Sequence, residues 1–127
     1  MRLLLDTHAL LWWLNDSPLL GRGADAAIRQ GDVFVSAVSA MEICTKFRLG
    51  KLPEAERLAS NFAGELAIER FAELPLTVAH AVMAGLLPHA HKDPFDRLLI
   101  AQARIEDLTL VSNERAFDGM GVARLWE

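Results

Sequence analysis

The 127-residue chain has a single cysteine, Cys44, so it can form no intramolecular disulfide and no cysteine-rich zinc site. That suits a reducing compartment, and Cys44 is expected to be a small core residue. Long hydrophobic runs are missing as well. The longest, Leu3 to Leu5 and Leu10 to Leu14, fall far short of the roughly 20 apolar residues of a membrane span, and the first residues show no signal-peptide pattern. The expected location is the cytoplasm. Positive charge is scarce: the formal net charge is -4, which argues against a protein that grips nucleic acid through a broad basic surface. RNA is not excluded, because divalent cations on clustered carboxylates make an acidic cleft attractive to phosphate. Neither a P-loop nor a GxGxxG fingerprint is present, and no repeat, low-complexity tract or linker interrupts the chain. With 52% hydrophobic residues, residues 1–127 are expected to form one domain with its own core.

The apolar runs alternate in type. Met1 to Leu5 is a short buried-strand pattern that stops at Asp6, and His8 to Leu14 reads as the following helix. After turn residues Asn15 to Pro18, Ala24 to Gln30 reads as a helix, Asp32 to Ser36 as a strand and Val38 to Leu49 as a helix. Pro53 and Glu54 open a helix expected to run to about Leu66, Phe71 to Leu76 reads as a short strand, and Thr77 to Leu86 as a helix ending before Pro88. In Asp93-Pro94-Phe95-Asp96, the first Asp suits an N-cap and Pro the first helical position, which predicts a helix to about Glu106. Leu108 to Ser112 and Gly121 to Trp126 complete the strands. Strands alternating with helices predict an α/β fold, a three-layer α/β/α sandwich around a mainly parallel central sheet.

Open parallel sheets bind ligands beyond the carboxyl ends of their strands. Four acids fall near that edge. Asp6 follows the first strand, Glu42 lies one turn into the helix after the second, Asp96 lies in the first turn of its helix, and Glu114 follows the LTLVS strand. Glu42 shares a helix side with Val38, Thr45 and Leu49, which directs it along the protein body. Each acid also has an ordinary explanation. Asp6 and Asp96 suit helix caps, Glu42 can pair with Lys46 four residues on, and Glu114 suits a helix dipole. Together, however, acids at one sheet edge repel unless protons or cations compensate them. Carboxylates are hard ligands for Mg²⁺ or Mn²⁺, and such a cation can acidify a water for in-line attack on phosphorus.

The chain resembles the PIN-domain ribonucleases, specifically VapC-type toxins of bacterial toxin-antitoxin pairs. The matching stretches are LLLDTHALLWWL, SAVSAMEICTKFRLGKL, HKDPFDRLLIAQA and LTLVSNERAFDGMGVARLW, in family order across almost the whole chain. The resemblance implies a PIN fold with an acidic pocket. Asp6, Glu42 and Asp96 match the first three acids, and Glu114 falls where the family usually has Asp, a departure that moves its carboxylate by one methylene. Asp93 is a weaker candidate because capping explains it. The implied activity is Mg²⁺-dependent (or Mn²⁺-dependent) cleavage of single-stranded or looped RNA. The implied partners are a cognate VapB-type antitoxin that blocks the cleft and a second copy in a homodimer.

Other residues suggest rivals. His8, His80, His89 and His91 invite metal-free acid-base catalysis, although His89 and His91 read as exposed loop residues and His8 as a residue shaping the cleft. Arg97, Lys46 and Arg48 are candidates for RNA phosphates or an antitoxin, with solvation the default for each. Trp12 and Trp13 suit core or interface packing better than base stacking. Receiver domains and haloacid-dehalogenase-like phosphatases fit poorly: Asp6 stands alone before the turn, Asn113 follows Ser112, and His8 stands where a second Asp is needed. The non-enzymatic rival is a PIN-fold binding module in which the altered fourth acid has cost catalysis.

Overall fold

In the computed structural model, which describes residues 1–88 and 91–127, the strands form one five-stranded sheet in the order β3-β2-β1-β4-β5. The strands are β1 (Arg2–Leu5), β2 (Asp32–Ser36), β3 (Ala72–Leu74), β4 (Thr109–Val111) and β5 (Arg124–Leu125), and every neighbouring pair runs parallel. The central strand β1 registers Leu5 against Val35 of β2 and against Val111 of β4. Because side chains alternate along a strand, Leu3 and Leu5 enter one core and Leu4 the other. A strand buried on both faces is a continuous apolar run, which is what LLL supplies.

One face is covered by α1 (Thr7–Leu14), α2 (Arg22–Gln30), α3 (Ala37–Arg48), α4 (Glu56–Ser60) and α5 (Phe62–Glu69), whose Leu10, Ile28, Ile43, Leu58 and Leu66 join Leu3 and Leu5. The other is covered by α6 (Val78–Leu86) and α7 (Pro94–Glu106), where Leu99, Ile100 and Phe117 pack with Leu4 and Leu110. The expected three-layer α/β/α architecture is the one found. Among the described residues, no helix is long and apolar enough to cross a membrane.

Helix starts follow local chemistry. Asp6 accepts the Ala9 N–H at 2.8 Å, and Ser36 Oγ accepts that of Val38 at 3.0 Å. Asp93 Oδ1 accepts from Phe95 N and Asp96 N, at 2.9 and 3.3 Å. Asp93→Ala is expected to lower stability by about 1 kcal/mol, read as a shifted denaturant midpoint; an unchanged midpoint would make this cap dispensable. At α6 the Thr77 hydroxyl accepts His80 N–H, while His80 Nδ1 accepts Thr77 N–H. Nδ1 is thereby an acceptor, so the ring proton sits on Nε2 and points to Glu106 Oε2, 2.8 Å away. Buried His80 is therefore a structural cap, not a catalytic base.

Several boundaries differ from expectation. The helix expected from Pro53 to Leu66 is three pieces, a 3-10 turn at Pro53–Ala55 followed by α4 and α5. The break is Asn61, whose φ of -155° and ψ of 64° are non-helical. Asn favours such breaks by offering its side chain to nearby backbone. The last strand shrinks to Arg124–Leu125, after Gly119 and Gly121 with positive φ, and Phe71 to Leu76 shrinks to Ala72–Leu74. Cys44 is half-buried and outside both core clusters, not a fully buried core residue.

Candidate active site at the carboxyl edge

At the carboxyl edge of β1, the chain leaves the sheet at Asp6, with β2 on one side and β4 on the other. Asp6 is 6% exposed, and burial pushes its carboxyl up to about 6. The Ser112 hydroxyl, the Ala9 N–H and His8 oppose that rise, whereas the charge of Glu114 adds to it. Asp96, in the first turn of α7, is also raised, first by burial and then by Asp93 and Glu114, against a lowering hydrogen bond from His91. His91 Nε2 lies 2.8 Å from Asp96 Oδ2. Glu114 sits between β4 and the 3-10 turn Arg115–Phe117, its backbone N–H donated to Ser112 Oγ at 3.0 Å.

Glu42 is held differently. Its Oε1 accepts the Thr7 hydroxyl at 2.6 Å and its Oε2 the Lys46 ammonium at 2.7 Å. That bond, together with the charges of Glu42, Asp93 and Asp96, raises Lys46 above its ordinary value. Glu114 thus acts by charge on both Asp6 and Asp96, and Lys46, bonded to Glu42, feels the charges of Asp93 and Asp96.

The donor set is chemically suited to a hard divalent cation, because carboxylate oxygens are hard ligands and burial pushes Asp6 and Asp96 towards protonation, a cost that a bound cation would offset. Among the described residues, no three His, Cys, Asp or Glu side chains are arranged as a ready-made metal cage. Mg²⁺ commonly keeps several waters, so one or two of these acids would touch it directly and the others would act through its bound waters.

Three partners escaped the sequence reading. Thr7 and Ser112 are buried hydroxyls beside Glu42 and Asp6, signalled only by adjacency to the acids. His91, expected to be exposed, instead meets Asp96 and lies 6.0 Å from the Phe117 ring. His89 lies outside the described residues. Arg97, a candidate for RNA phosphate, is bonded to backbone: Nε donates to Ala84 O at 2.9 Å, Nη2 to Leu87 O at 2.7 Å and Nη1 to His91 O at 2.9 Å. Trp13 donates to Glu69 at 2.6 Å and packs on Phe71, in keeping with a packing role. Trp12 stacks on His8, with ring centroids 5.3 Å apart.

Comparison with known proteins adds to this geometry. The sequence model of the PIN domain matches residues 3–122. Ribonuclease VapC22 of Mycobacterium tuberculosis is 31% identical over 118 residues, spanning 88% of this chain and 86% of that protein. VapBC2 from Rickettsia felis, solved bound to a promoter DNA fragment, aligns over 100% of both chains with a TM-score of 0.72 at 17% identity. DNA-bound VapBC from Salmonella typhimurium aligns over 98% of this chain and 97% of that one, with a TM-score of 0.74 at 18% identity. At these identities the structural likeness speaks for the fold alone.

Proposed function

Because the chain belongs to the PIN-domain family, we propose that it is a cytoplasmic, Mg²⁺-dependent endoribonuclease and the toxin of a toxin-antitoxin pair, with Asp6, Glu42, Asp96 and Glu114 as its metal-binding and catalytic acids. The similarity to a protein named a ribonuclease supports the activity. The observation that carries the site is that Ser112 stands between two of these acids, its Oγ accepting the Glu114 N–H at 3.0 Å and its hydroxyl lying beside Asp6, while the charge of Glu114 also reaches Asp96.

Asp6 is fixed by its cap to Ala9 and by burial, so its carboxylate is held in place before substrate arrives. Thr7 and Lys46 orient Glu42, and His91 orients Asp96. Lys46 also brings positive charge towards an incoming phosphate. Bound Mg²⁺ or Mn²⁺ would supply Lewis acidity towards the phosphate and a more acidic water.

A cognate VapB-type antitoxin and a second copy of the chain are the proposed partners. The structural neighbours are described as VapBC complexes. Val78, Val82 and Leu86 form an exposed stripe on α6, a helix without a charged residue, and an unpaired apolar stripe of this kind suits a homodimer contact.

Purified protein freed of antitoxin is expected to cleave single-stranded or looped RNA with Mg²⁺ or Mn²⁺ and to stop when the cation is chelated. Persistent absence of cleavage across a broad RNA panel would favour the binding-module alternative. Induced expression should arrest growth, with relief by the adjacent gene; healthy growth despite active protein counts against the toxin role. Glu114→Asp is expected to keep or raise cleavage, whereas Glu114→Ala should lower it; unchanged cleavage in the alanine variant removes Glu114 from the site.

A further inference from the structure

Next to the acids, a cleft of about 480 Å³ is lined by Asn113, Arg115, Arg124, Leu125, Trp126 and Glu127. Its volume lies within the roughly 300–1,000 Å³ of small-ligand sites. Ser112 joins it to the acidic centre. The Ser112 carbonyl accepts Arg124 Nη1 at 3.0 Å, its Oγ accepts Glu114 N–H at 3.0 Å, and its hydroxyl lies beside Asp6.

Apart from the anionic Glu127, the lining is built of groups that suit a nucleotide. Arg124 is held by Asp118 through two bonds, at 2.8 and 3.0 Å, so its charge is largely committed. The side chain of exposed Arg115 makes no hydrogen bond or close ion pair among the described residues, although its charge reaches Asp118. Exposed Asn113 offers both an amide donor and a carbonyl acceptor. Trp126 stands edge-on to Trp12, with centroids 5.7 Å apart and planes at 62°, and His8 covers Trp12 in turn. An aromatic row therefore runs from the cleft back to the residues following Asp6.

Trp126 is set in place by backbone as well. Its carbonyl accepts Ala24 N–H at 2.7 Å, and a Cβ on Gly21 would come within 2.6 Å of that oxygen and 2.9 Å of the indole Nε1. Only glycine permits this approach, so the indole's position is specified by α2 and the turn before it.

We propose that this cleft is a subsite for one unstacked ribonucleotide flanking the scissile phosphate, its base on the Trp126 indole and its phosphate at Arg115. The proposal rests on the nuclease reading and names where that substrate lies. Stacking on an aromatic is tolerant of base identity, and an exposed guanidinium with no hydrogen-bonded side-chain partner gives the phosphate a contact in an otherwise acidic protein.

The test uses full-length protein carrying Asp96→Asn to prevent cleavage, and a fluorescein-labelled, mixed-sequence single-stranded RNA hexamer followed by anisotropy. Arg115→Ala should weaken binding about tenfold and flatten the log-log salt slope by roughly 0.7. Trp126→Leu should weaken it roughly five- to hundredfold. Arg70→Ala, an exposed site before β3 at the opposite edge, should change neither. Unchanged affinity and salt slope in Arg115→Ala overturn the proposal. Should Trp126→Leu fail to fold, Asn113→Ala and Arg115→Ala decide the matter from exposed positions. In the cleaving protein, Arg115→Ala should raise KM while kcat stays the same. Cleavage with KM unmoved sinks the subsite alone. Arg115-dependent hexamer binding without any cleavage sinks the nuclease and leaves the nucleotide site standing. An Arg115→Ala loss confined to a protein partner, with RNA binding intact, also overturns it.

Discussion

Asp6→Asn is expected to abolish cation-dependent RNA cleavage while making the folded protein more stable at neutral pH. With Asp6 as the proposed ligand, its removal should exceed the roughly 10–100-fold loss typical when only a ligand's outer partner is removed. The stability gain follows from the carboxyl value of about 6, against 3.8 for an ordinary Asp. A raised folded value means that the folded state binds more protons than the unfolded state between these limits. Stability from this group is therefore fully present below about 3.8 and is lost as pH rises through about 6. Two units correspond to about 3 kcal/mol, an upper figure that the cap to Ala9 does not alter, because Asn caps about as well as Asp. Thermal melts across that pH range should show the variant's advantage appear on the alkaline side and vanish in acid. Mn²⁺ should raise the wild-type midpoint and leave the variant's unmoved, and wild-type cation affinity should weaken as protons compete below pH 6. Full cleavage with Asn at this position, or an advantage independent of pH, would break the link between the burial of Asp6 and its chemistry.

Arg97→Ala should unfold the protein more readily without first touching RNA. The guanidinium bridges three backbone carbonyls, at Ala84, Leu87 and His91, and truncation leaves them short of a charged donor. With such bonds worth about 1.5–3 kcal/mol each and not additive, a loss of about 2–4 kcal/mol is expected, near 10 °C in thermal midpoint. Arg97→Lys should rescue little, since one ammonium cannot reproduce a planar fork. Because His91 is one of the three, cleavage should fall along with stability as Asp96 loses its orienting ring. An undisturbed midpoint combined with weakened RNA binding would return Arg97 to the role of a phosphate contact.

The contrast between Asp6 and Arg97 shows what a linear sequence discloses. LLL followed by Asp announces a strand end and a helix cap, because both are set by neighbours within a few residues. The Asp93-Pro94 start of α7 was legible for the same reason, and strand alternation gave the three layers. Arg97 could not be read in this way, since its carbonyl partners lie up to 13 residues away on another helix, and an arginine looks alike whether it faces solvent or backbone. His91 is positioned by the same tie. Asn61 was legible in principle, but the apolar rhythm across Pro53 to Leu66 concealed a break that one side chain decides. The four proposed acids stand out by their place along the strands together with the family resemblance, whereas Thr7, Ser112 and His91 emerge only when strands β1 and β4 and helices α3 and α7 are brought together.

The outermost strands are brief, three residues at β3 and two at β5. Few main-chain groups are left open along those borders for a neighbouring polypeptide to template upon, and Glu73 and Arg124 add charge to them. A chain so rich in apolar side chains thereby offers little rim for fibril-like self-association, and the proposed contact between copies would fall to side-chain surfaces such as the stripe on α6.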